Sequence, residues 1–238
     1  MATSLYLGLG VLDAIAEIAL ILKLYRLPFV RFRYRIVLFA IGIAILSYFM
    51  RMVFELPLLD LPLQYFLFIL FFRFALNIKV HLASFIIGVG ITIYTLIQLG
   101  IYYIGTYIDH WGSDYLLVND SIYVQIIQFS SDSLVLLASF ILYKFNLGFS
   151  FIKEPPHDFF LKEDYLSRRN LVIVTSSLIS ALSISSTLLF LYRANIFKLT
   201  ILTIVVLCIS YYFSRRRDYD DIRTTINAYS NKNQDDRS

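Results

Sequence analysis

Residues 80–104 read VHLASFIIGVGITIYTLIQLGIYYI, an apolar run without a single Asp, Glu, Lys or Arg. Wound as one helix at 1.5 Å per residue, it extends about 37 Å, enough to cross the roughly 30 Å hydrocarbon core of a bilayer. Comparable apolar runs fill most of the chain on either side, at about 4–22, 36–54, 63–76, 122–143, 171–192 and 199–213. The expected fold is therefore all-α, a polytopic transmembrane helix bundle of seven spans. It occupies residues 1–217 and is followed by a short cytoplasmic tail over 218–238.

Composition agrees with a lipid environment. Of 238 residues 58% are hydrophobic and 16% charged, and the mean hydropathy is +0.70. A soluble domain is nearer half apolar and a quarter charged. Seven crossings with short loops use up this length and leave no room for a sizeable soluble domain. The amino terminus enters its first apolar run without a basic leader or a small-residue cleavage site, so the first helix is expected to stay in the membrane. The one cysteine, Cys208, sits in an apolar run, which excludes a disulfide framework, a CxxC motif and a thiolate metal site. A net charge of +4 and pI near 9.0 are read as topology signals rather than as a nucleic-acid surface.

The basic residues are unevenly placed. Five lie in 23–35, two in 73–79, five in 144–169 and six from Arg215 onward, so that eighteen of the 21 fall on one side of the alternating spans. The other loops hold only Arg193 and Lys198, and Arg51 lies inside the second span. Cytoplasmic loops carry the excess of Lys and Arg, so the amino terminus is expected outside and the carboxy terminus inside. The stretch Glu55-Leu-Pro-Leu-Leu-Asp-Leu-Pro62 has two prolines and two acids, and is read as a tight connection between the second and third spans.

Chemistry within the spans is sparse, and so informative. Asp13 and Glu17 are four residues apart on one face of the first span, near mid-bilayer. A carboxylate there is costly unless paired, neutral or hydrated, and Arg51 and Arg73 are the available cations. Gln125, Gln128 and Asp132 share a face of the fifth span, and Tyr94 and Gln98 in the fourth could complete a polar cavity with them. Interhelical hydrogen bonding is the competing reading for these groups. The outer loop around Trp111 carries aromatics and acids suited either to interfacial anchoring or to ligand capture. Small residues at Gly88, Gly90, Ser177, Ser180 and Ala181 are read as helix-packing sites. His81, His110 and His157 all lie away from span centres, no HExxH or glycine-rich phosphate loop occurs, and a non-enzymatic protein without cofactor or metal is expected.

Asp13-x-x-x-Glu17, the Glu55-Leu-Pro57 turn, the amphipathic connection Phe151 to Arg169 and Phe213-Ser-Arg-Arg-Arg217 together resemble the membrane sensor module of accessory-gene-regulator-type quorum-sensing histidine kinases of Gram-positive bacteria. The resemblance covers most of 1–217. It implies a bundle in the cell membrane that recognises an extracellular peptide and passes a conformational signal inward. The kinase does not carry over, because 218–238 has no phosphotransfer histidine and no ATP lid.

The expected function is thus a receptor-like or accessory membrane protein, with Asp13, Glu17, Arg51, Gln98, Gln125, Gln128, Asp132 and Trp111 as candidate ligand-binding residues. Phe159, Tyr165, Ile222 and Ile226 are the candidates for cytoplasmic coupling, the last two sharing a face of a short helix that extends the seventh span. Its expected partners are the lipid bilayer, an extracellular peptide or small ligand, a separate cytoplasmic or membrane protein, or a second copy of the chain. Two alternatives remain open: a small proton- or cation-coupled transport protein, and a membrane scaffold or assembly subunit.

Overall fold

A computed structural model describes residues 2–109, 121–152, 155, 168–192 and 196–235. Seven α-helices follow one another: α1 (Ala2–Leu24), α2 (Arg33–Tyr48), α3 (Pro57–Phe74), α4 (Val80–Asp109), α5 (Ile122–Lys144), α6 (Arg168–Tyr192) and α7 (Ile196–Asp235). One turn of π-helix, Phe49–Val53, prolongs α2. The described residues contain no strand.

Six of these helices, all but α6, are long and apolar enough to cross a membrane, so the chain has the architecture of a multi-pass membrane protein. Within α6 the apolar part, Ile173–Thr187, is shorter. It nonetheless packs against α3, α4 and α7 as a member of the bundle. At the centre stands α4: 61% of its apolar span is buried, against 28–39% for the other five. Two glycines allow that position. A Cβ at Gly88 would stand 2.5 Å from Cβ of Ser180 in α6, and one at Gly90 would collide with Ile21 of α1. Small residues let the backbones close up where lipid gives helices no hydrophobic reason to associate.

The π turn and the next helix depart from the sequence reading. Residues 57–62 belong to α3 and are not part of a connection. Pro57 opens the helix, where a missing N–H loses nothing, and Pro62 falls in its second turn, where one backbone bond is given up. Its offset is Asp60, carried by the intervening turn into a buried contact with Arg51.

The two ends of the bundle differ. Where α1, α3 and α5 end, an aromatic cluster closes the core: Tyr25 meets Phe85, Phe149 and Phe151 with ring centroids 5.7–6.4 Å apart. Burial pushes the Tyr25 hydroxyl well above its ordinary range, so it remains a neutral group, 3.3 Å from Ser214 Oγ of α7. The start of the 144–170 connection is clasped here as well. Phe149 N–H donates to Leu24 O, while Ser150 donates to Asp218 Oδ1 from both its backbone N–H (2.7 Å) and its hydroxyl (2.8 Å). At the other end the helices enclose polar space.

Candidate functional site

The polar space lies in the half of the bundle away from the basic connections, and α1, α3, α4, α5, α6 and α7 all contribute to its wall. The main cavity holds about 210 Å³ and is faced by Asp13, Glu17, Arg51, Gln64, Gln98 and Gln128, among others. A smaller hollow of about 40 Å³ shares five of these side chains and reaches Tyr6 and Ser47.

Helical spacing places the α1 acids. Asp13 and Glu17 stand one above the other on the inward face, each partly accessible to the cavity. Tyr94 of α4 donates to Asp13 Oδ1 and also lies 2.7 Å from Asp132 Oδ1 of α5. A phenol has a single hydrogen. It serves one carboxylate at a time, and the other acid can bond to the Tyr94 oxygen only by bringing a proton of its own. Asp132 is fully buried, and its Oδ2 has no hydrogen-bond partner among the described residues. Glu17 likewise makes no hydrogen bond to a described residue and faces the cavity.

Arg51 does not pair with the α1 acids. Its guanidinium forms an ion pair with Asp60, whose carboxylate also accepts from Ser47 Oγ (2.9 Å) and Gln64 Nε2 (2.9 Å). Asp60 is fully buried, so its charge is compensated by three donors. The π turn is what aims Arg51 at it: five residues wound more widely than an α-turn shift the side chain around the helix axis.

The structure thus brings together Asp13, Glu17, Arg51, Gln98 and Gln128 around one cavity, with Asp132 behind Tyr94. Gln125 is not among the lining residues. Trp111 lies outside the described residues, as do Phe159 and Tyr165. Ile222 and Ile226 are on α7 and are 49% and 62% exposed, so neither docks on a described segment. Sequence reasoning missed Asp60 by reading 55–62 as a loop, and passed over Gln64 at the start of the third span. The signal that could have found them is the Asp60-x-x-x-Gln64 spacing just after a helix-opening proline. Among the described residues no group of three or more His, Cys, Asp or Glu side chains is placed to hold a metal ion.

Fold and site together define a class, a multi-pass helical membrane protein with an acidic cavity between its helices. No protein-family model matches the chain, and no curated protein or solved structure does so either.

Proposed function

We propose that this protein is a receptor-like component of the cell membrane that binds a small ligand carrying a positive group inside its bundle. The observation behind this reading is the chemistry of the cavity wall. Four carboxyl groups, Asp13, Glu17, Asp60 and Asp132, are set in or beside the wall against one guanidinium, and Arg51 is already engaged by Asp60. Glu17 is left facing open space, and a cation in a low-dielectric pocket is a natural partner for it. The glutamines offer both donors and acceptors to orient such a ligand.

In this reading α6 is a seventh span, the amino terminus is outside, and the cavity opens outward. Binding is relayed to the cytoplasmic side through α7 and the 144–170 connection, in the manner of the sensor modules the sequence resembles. The Ser150–Asp218 clasp supports such a route, since it ties that connection to α7 directly.

The test is equilibrium binding of methylammonium and tetramethylammonium ions to the full chain in lipid nanodiscs. Saturable binding should weaken at least tenfold in Glu17→Gln and in Asp13→Asn. Equal uptake of a neutral isostere, or insensitivity to both substitutions, defeats the proposal.

A second reading, proton- or cation-coupled transport, is favoured by one observation. The Asp13–Tyr94–Asp132 chain needs an additional proton for both its bonds to exist together, and Asp132 keeps an unmatched oxygen. Proteoliposomes separate the two readings: a transporter moves the bound cation down an imposed pH gradient, whereas a receptor binds it without flux.

A further inference from the structure

A second hollow lies at the opposite end of the bundle, where α1 and α5 stop side by side. It holds about 240 Å³, and its wall includes Lys23 in the last turn of α1, Arg26 and Pro28 just after it, Leu142 and Tyr143 at the end of α5, and Asn146 beyond it. Its polar groups among the described residues are an ammonium, a guanidinium, a phenol and a carboxamide, and no carboxylate of a described residue faces it.

Helix C-termini ordinarily present bare carbonyls that would repel an anion. Here the last four of α1 and three of the last four of α5 are already occupied. The amides of Tyr25, Arg26 and Leu27 bond to the carbonyls of Ile21, Lys23 and Leu22, and Phe149 takes that of Leu24. At α5 the amides of Phe145, Asn146 and Leu147 do the same for Ile141, Tyr143 and Leu142. Both caps turn through left-handed backbone, with φ +53° at Arg26 and +51° at Asn146. Asparagine tolerates that conformation and glycine prefers it, whereas an arginine there is uncommon. What arginine adds at this cap is a cation in the wall of the hollow. The ammonium of Lys23 is held near the same place, 4.4 Å from the centre of the Tyr143 ring.

Leu142 also belongs to the wall of a neighbouring crevice of about 300 Å³. That crevice is mainly apolar, bordered by Leu24, Val89, Ile93 and Leu207. A basic hollow and an apolar crevice with one leucine in common, at the level where two spans reach water, match the two halves of an amphiphile.

We infer that the ends of α1 and α5 form a site for an anionic phospholipid, with Lys23 and Arg26 on the phosphate and an acyl chain in the crevice beyond Leu142. The inference is independent of the ligand proposed for the acidic cavity. Scattered snorkelling cations would instead attract any anionic surface diffusely and hold no lipid in fixed number.

Native mass spectrometry of the full chain, equilibrated with mixed phosphatidylglycerol and phosphatidylcholine, tests it. One phosphatidylglycerol should be retained, with affinity falling at least tenfold in Lys23→Gln/Arg26→Gln. The affinity should hold in Arg33→Gln/Arg216→Gln, which removes the same charge from exposed positions at that end. Leu142→Trp, which fills the crevice without touching charge, should also release the lipid, and Lys23→Arg should retain it. Equal retention of phosphatidylcholine, or equal loss in the two double variants, overturns the site. Displacement of the lipid by millimolar inorganic phosphate would assign the hollow to a free anion and overturn the phospholipid assignment.

Discussion

Arg51 and Asp60 stand nine residues apart on two different helices, and removing either leaves the other as a charge stranded in the bundle. Breaking such a pair is far more destabilising than replacing it whole. Asp60→Asn is expected to cost roughly 3–5 kcal/mol, and Arg51→Met/Asp60→Leu considerably less. Reversible unfolding in mixed micelles would measure both, and equal losses would mean that Asp60 acts through Ser47 and Gln64 instead. Tyr25→Phe, losing only the 3.3 Å contact to Ser214, should cost about 1 kcal/mol in the same assay. At this scale the site was half legible. Asp13 and Glu17 declared themselves, because an acid amid apolar residues has no bland place to go. Asp60 did not, because two prolines around it made a helix look like a loop. The partnership of Tyr94 with two carboxyls depends on where α1, α4 and α5 meet, which no spacing within one helix reveals.

Helices are the scale at which the chain could be read most fully. Long uncharged runs give spans directly, and six of them stand in the structure as helices of adequate length. Their ends were harder: α3 starts at Pro57 rather than near 63, because proline at a first helical position is permitted while proline in a loop is merely common. Contacts between helices leave a fainter trace, such as the small residues at 88, 90 and 180. Gly88→Ala is expected to destabilise the bundle by roughly 1–3 kcal/mol, since α4 and α6 already touch there. Adding Ser180→Gly should recover part of the loss, as read by the fraction of monodisperse protein after mild heating. No recovery would mean that the glycine matters for the backbone of α4 alone.

Across the whole molecule the basic asymmetry predicts on which side each end lies. In a Cys208→Ser background, a cysteine at Ser150 should resist an impermeant thiol reagent added to intact cells and react after lysis. Labelling before lysis would invert the bundle and place the acidic cavity on the cytoplasmic side. Deleting 221–238 should leave insertion and lipid retention intact while abolishing any signal passed to a partner. An unchanged output would remove the tail from the route. The 40 residues of α7 give that route a mechanical character. Leu199, near its start, borders the cavity, and Asp218 is fastened to Ser150. At 1.5 Å per residue the arm from Leu199 to Asp218 is about 28 Å, and the arm from Asp218 to Asp235 about 26 Å. In the proposed route the helix would work as a seesaw with nearly equal arms and its fulcrum at the clasp. A tilt of about 5° that shifted the cavity end by about 2.5 Å would swing the far end about as far in the opposite direction, with no need for the helix to bend, slide or unwind.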